Sequence, residues 1–178
     1  MHENPEPDLD LEERQARAMQ EQVRELTFLH ETSQMVSATL DLDTVLQSLI
    51  AQVRDYFRVE AASVALLDEE TGELVFRVAV GEAAEKVVGL RLAPGLGVAG
   101  WVAQTGRSAV VPEARADERF YPGVDERTGL CTRELVAVPV KIEDRPIGVI
   151  EMLNPATGAF DTDAQRLLLA LSGLAAAA

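Results

Sequence analysis

The run from Leu135 to Leu153 constrains the fold more than any other part of the chain. Leu135 to Ile142 is rich in β-branched residues, EDRP at 143–146 supplies turn chemistry, and Ile147 to Leu153 returns. This is the pattern of a two-stranded antiparallel hairpin. A polar loop feeds it and carries Tyr121, Asp125, Thr128 and Thr132 at short intervals. Hydroxyls and a carboxylate beside an apolar sheet are the groups that fix the orientation of a small polar ligand.

The rest of the chain extends the same architecture. Ala61 to Leu67 and Leu74 to Val80 read as strands joined by the turn DEETGE, and Val87 to Leu92 and Ser108 to Val111 as short strands. Between the short strands, PGLGVAGWVAQTG opens with glycines and continues as a short helix. A longer helix starts near Asp41, Asp43 or Thr44, any of which can cap it. Its apolar face is Val45, Leu46, Leu49, Ile50, Val53 and Phe57, spaced three and four apart. A last helix runs from about Asp161 to Ala175. Helices alternating with mostly hairpin-linked strands predict an α+β layered domain, an antiparallel sheet covered by helices. Hydrophobic residues at 47% supply the core, and 178 residues suit one domain with a helical extension.

That extension is N-terminal. Residues 1–8 read as a disordered tail, and residues 9–36 as a helix rich in Glu, Gln and Arg. Leu9, Ala16, Val23 and His30 fall seven apart, with Met19 and Leu26 three further on, a short heptad seam weakened by Glu12 and Ser33. Such a helix either packs on its own domain or pairs with its copy in a homodimer, and the seam is too short to say whether that pair is parallel or antiparallel.

A formal charge of −14 opposes a nucleic-acid surface, since phosphates repel an acidic face, and disfavours anionic lipid. No apolar run approaches the roughly 20 residues that span a bilayer, and the acidic first 24 residues do not form a signal peptide. One cysteine excludes an internal disulfide framework. These features give the expectation of a cytoplasmic protein with neither nucleic-acid nor membrane partner.

Three segments in order, ASVALLDEETGEL, GLGVAGWVAQTG, and FYPGVDERTGLCTR with PIGVIEMLN, resemble the GAF domains of cyclic-nucleotide phosphodiesterases and bacterial signalling proteins. The resemblance places a GAF domain over residues 25–178. It implies a GAF-like antiparallel β-sheet covered by helices, with an N-terminal signalling helix of coiled-coil type. It also implies a ligand held between the sheet and a lid spanning roughly Glu113 to Arg133. Carried over position by position, the ligand-binding residues are Ser63, Val98, Ala99, Tyr121, Asp125, Thr128, Thr132 and Glu151. Val98 and Ala99 lie where backbone amides at a helix start favour phosphate.

Departures from the family pattern are equally specific. Ala79 and Val80 stand where nucleotide-binding members place an aromatic and an acid beside the base. Of the NKxF…DE motif only Asn154 and Phe160 remain; Pro155, Ala164 and Gln165 replace the lysine and the acidic pair, so their salt bridge cannot form. The resemblance therefore implies a small-molecule ligand of unknown identity, and these losses count against a cyclic nucleotide.

Other readings of the same residues stay open. Asp125 and Thr128 can serve only a turn, and Ser63 can bond to backbone. Glu151, in an apolar strand, needs a partner, and Arg133 or a ligand would serve. Cys131 stands alone, without the resolving thiol that the free methionine sulfoxide reductases of this fold require. An iron site at Cys131 with Asp117 or Asp125 is weakly supported, and neither His2 nor His30 has a catalytic partner. Trp101 reads as core near the pocket. The expectation is a non-enzymatic sensory module, dimeric through its terminal helices, acting on an output domain or partner protein outside this chain. The alternative is a ligand-free dimerisation or scaffold module with a vestigial pocket.

Overall fold

The computed structural model describes residues 9–38 and 41–177. The expected disordered tail, residues 1–8, and the side chain of Leu9 at the head of the seam lie outside the described residues.

Helix α1 (Leu9–Ala38) is followed by α2 (Leu42–Phe57). Of the three candidate caps, Asp41 takes the role: its carboxylate accepts the backbone N–H of Thr44. Of the face the spacing predicts on α2, Val45, Leu46, Leu49, Ile50 and Val53 are buried, and Phe57 at its end is half-buried against the same core. Strands β1 (Val59–Leu67) and β2 (Leu74–Val80) form the first hairpin. Then come α3 (Ala84–Val87), β3 (Arg91–Leu92), α4 (Gly97–Thr105) and β4 (Ala109–Val111). A 3-10 turn (Ala114–Ala116) and α5 (Gly123–Thr128) make the lid segment. The hairpin of β5 (Leu135–Ile142) and β6 (Arg145–Pro155) leads to α6 (Thr162–Ala177).

The expected strand at Val87–Leu92 is a correction. Val87 ends a short helix, Gly89 at φ 87° turns the chain, and the regular ladder with β2 is limited to Arg91 and Leu92, with Gly89 and Leu90 bonded to the Phe76 backbone. A positive φ at glycine breaks the extended run that the apolar composition suggested.

All strand pairs are antiparallel, in the order β3-β2-β1-β6-β5-β4. Side chains alternate between the two faces of the sheet, and each face has its own core. One face packs Val64, Val136, Val138, Ile150 and Met152 against α2, α6 and the C-terminal half of α1. The other packs Ala65, Phe76, Ala137 and Val149 against α4. Leu168 and Leu171 of α6 are fully buried in the first core, so this helix seals the sheet.

Helix α1 divides its apolar residues. Phe28 stacks on Tyr56 with ring centroids 4.3 Å apart, and buried Thr32 has its hydroxyl 2.7 Å from Gln52 of α2. Met19, Val23 and Leu26, the seam residues N-terminal to Phe28, stay exposed at 63%, 55% and 67%.

Candidate ligand-binding site

On the α4 side, the sheet, α3, α4 and α5 leave a cavity between them, with about 730 Å³ of free space including its mouth. Its sheet wall comes from β1, β2, β5 and β6, and strand alternation decides which residues it shows. On β6, Ile150 and Met152 face the opposite core, so Glu151 between them faces the cavity. On β1, Val64 faces the opposite core and its neighbour Ser63 faces the cavity.

Seven of the eight residues singled out in the sequence line this cavity: Ser63, Val98, Ala99, Tyr121, Asp125, Thr132 and Glu151. Thr128 does not. Its hydroxyl turns back to the Val124 carbonyl at 2.8 Å, and it stabilises the last turn of α5. Ala79 and Val80, which stand in place of the nucleotide-reading pair, also line the wall.

Asp125 is buried and its carboxylate is spoken for. One oxygen accepts the Thr132 hydroxyl at 2.7 Å, the other accepts the Thr132 backbone N–H at 2.8 Å, and Arg115 approaches to 3.5 Å. The residue thus ties α5 to the segment entering β5. Glu151 is the opposite case. Among the described residues no donor reaches its carboxylate, and burial alone pushes it up to about 7. Its remaining exposure opens onto the cavity, which is why a group so deeply set among apolar neighbours still counts as only half-buried.

Arg133, one of the two partners considered for Glu151, is excluded by its position. It is exposed, and its guanidinium lies 3.5 Å from Glu60. The end of the lid is fixed instead by Asn154. Its Oδ1 accepts the N–H groups of Arg133 and Glu134 at 2.8 and 3.2 Å, and its Nδ2 donates to Glu60 and to the Cys131 carbonyl. Trp101 is half-buried and does not line the cavity; the Arg119 guanidinium sits 4.5 Å above its ring. The metal reading finds no support in the geometry: among the described residues no three of His, Cys, Asp and Glu cluster, and Asp117 is engaged by Arg119.

Residues of the lining that the sequence reading missed are Phe76, Phe120, Val87 and Leu130, with Ala83 and Ala84 at α3. Phe76 carried a signal, since it lies on β2 in the same alternating set as Leu74. The α3 residues carried none, because four helical residues are too few for a period to register. From α3, Lys86 also reaches across to donate to the Thr128 carbonyl of α5 at 3.3 Å.

A sequence profile of the GAF domain matches residues 39–178. The chain belongs to the GAF domain family. GAF domains are, in general, regulatory or sensory modules of signalling proteins and phosphodiesterases. A probable 3',5'-cyclic phosphodiesterase of Caenorhabditis elegans is 29% identical over 148 residues, covering 76% of this chain and 20% of that protein. The chain spans a fifth or less of the length of the curated relatives it matches first. Among solved structures, the GAF domain of an Acinetobacter phosphoenolpyruvate-protein phosphotransferase superposes with a TM-score of 0.76 at 23% identity, covering 86% of this chain and 91% of that one. The free methionine-R-sulfoxide reductase of Neisseria meningitidis, solved in complex with its substrate, gives 0.73 at 21% identity, covering 84% of each chain. These likenesses establish the fold, and they show that it serves both regulatory domains and enzymes. No helix among the described residues is long and apolar enough to cross a membrane.

Proposed function

We propose that this GAF domain, residues 25–178, is a sensor that binds a small molecule in the cavity between the sheet and the α3–α5 lid. The observation that carries the reading is Glu151: a half-buried carboxylate with no protein donor among the described residues, set among apolar side chains at the cavity wall where a ligand group can reach it. An evolved core with no occupant gains nothing by holding an unpaired carboxyl there. Ser63, Val98, Ala99, Tyr121, Asp125 and Thr132 complete the site, and Thr128 supports it from behind. Closing of the lid shifts the terminal helices, which pair with those of a second copy through Met19, Val23 and Leu26, so ligand biases two states of a homodimer. The response passes to an output domain or partner protein, and the setting is cytoplasmic. Turnover is not part of this function, since the single thiol, Cys131, has no second thiol to resolve it.

The second reading, a scaffold with a vestigial pocket, is favoured by Ala79 and Val80, which provide neither an aromatic platform nor an acid for a purine. A thermal-shift screen with cyclic GMP, cyclic AMP and a metabolite library separates the two. Ligand at 100 times its Kd adds about 2.7 kcal/mol, or several degrees for a domain of this size. A shift lost in Asp125→Ala supports the sensor; no shift with any compound leaves the scaffold.

A further inference from the structure

We propose that the cavity selects a small organic cation, an amine carried on an apolar or aromatic body, and rejects anions. This rests on the sensor reading above and adds the chemical class of its ligand. The argument is one of charge and of which groups are already engaged. No lysine, arginine or histidine lines the cavity among the described residues, whereas two carboxylates do. Asp125 is satisfied by Thr132 and Arg115, so its negative charge is held in place by groups of the lid. No protein donor among the described residues reaches the half-buried Glu151 carboxylate, and Ser63 lies directly opposite it on the neighbouring strand.

An anion in this space would meet Asp125, offset in part by Arg115, and Glu151, which no side-chain cation reaches among the described residues. The start of α4, Gly97 to Ala99, also lines the cavity, but the partial positive charge of one short helix does not outweigh the ionised Glu151 carboxylate in a water-poor site. A cation meets the reverse situation. An ammonium beside Glu151 removes the one unpaired charge, and the Ser63 hydroxyl can accept a second of its protons. The remainder of the lining suits an apolar body. Phe76, Phe120 and Tyr121 bring three aromatic rings to the wall, and ring faces attract ammonium groups in water-poor sites. Asp125 keeps its own partners, Thr132 and Arg115.

The test is calorimetric titration of the full chain at about pH 8, where Glu151 is mostly ionised, with three probes of similar size and different charge: 2-phenylethylammonium, 2-phenylethanol and phenylacetate. The ammonium is expected to bind at least about tenfold tighter than the alcohol, with phenylacetate weakest. Glu151→Gln, which keeps the shape of the side chain, should bring the ammonium down to the level of the alcohol. A circular-dichroism melt confirms that this variant folds, and Ser63→Ala supplies an independent, milder loss. Phenylacetate binding as tightly as the ammonium overturns the proposal, as does an ammonium preference that survives Glu151→Gln. If none of the three binds, the cation assignment falls, while the sensor reading stands or falls separately on the thermal-shift screen.

Discussion

Ser63 of β1 and Glu151 of β6 are register partners in the central antiparallel pair of the sheet, and both side chains open into one cavity. The pairing follows from period-two alternation: their neighbours Val64 and Ile150, also partners, are fully buried in the opposite core. A slip of one residue would put those apolar residues in the cavity and the carboxylate in the α2–α6 core. The buried apolar faces thus hold two polar residues where a ligand can reach them.

Glu151 makes stability depend on pH in a direction unusual for a carboxylate. Its ordinary value is 4.5 and burial raises it to about 7. Between those values the folded chain holds a proton that the unfolded chain has released, so stability falls as pH rises through this window. The full effect is at most about 3 kcal/mol above pH 7. Asp125 and Tyr121 are the other titratable groups lining the cavity. Glu151→Gln is expected to match the wild type in urea denaturation at about pH 5 and to exceed it at about pH 8. Equal stability of the two proteins at both values would show that the carboxyl is better solvated than its position indicates.

Asp125→Ala should cost about 1–3 kcal/mol, because it strands the Thr132 N–H and hydroxyl in a buried setting. Arg115→Ala should cost under about 1 kcal/mol, since Arg115 is largely exposed and 3.5 Å from the carboxylate. Urea midpoints of the two variants check this, and a larger loss for Arg115→Ala would contradict the assignment of Thr132 as the principal partner.

Asn154 combines a positive φ of 54°, near-complete burial and four hydrogen bonds, three that fasten the end of the lid to β6 and one to Glu60 of β1. Replacing it with alanine removes every one of them and puts a residue poorly suited to left-handed backbone at that position. A loss of about 2–4 kcal/mol is expected, read from the urea midpoint at unchanged slope.

What the sequence revealed, and what it hid, follows from length and period. The α2 face and the Leu135–Leu153 hairpin carry enough repeats to be read directly. The strand expected at Val87–Leu92 failed because its apolar run is cut by Gly89, whose φ no composition rule exposes. Thr128 was misplaced for a different reason. Spacing puts it on the lid, but only the helical turn of α5 decides that its hydroxyl returns to Val124. Arg133 sits four residues C-terminal to Gly129, close in sequence to the lid tetrad, yet its direction is set by Asn154 and Glu60, both remote in the chain. The emptiness around Glu151 was equally hidden, since a missing partner leaves no mark on a sequence.

The exposed Met19, Val23 and Leu26 predict self-association through α1. Sedimentation should report a dimer for the full chain and a monomer for Val23→Glu with Leu26→Glu, since charges at a and d positions oppose a coiled-coil seam. Identical sedimentation of the two proteins would mean that α1 serves only its own domain.

The central claim is that a small molecule enters the cavity beneath the lid. Hydrogen exchange followed by mass spectrometry, with and without the metabolite mixture used for the thermal screen, tests it most directly. The control is Ala84→Trp, which places a bulky ring at the cavity wall. The account predicts slowed exchange in the peptides spanning Ala84–Val87 and Gly123–Thr128 of the wild type, and no such change in the filled variant. Exchange that is unaltered in the wild type, or slowed equally in both proteins, would contradict it.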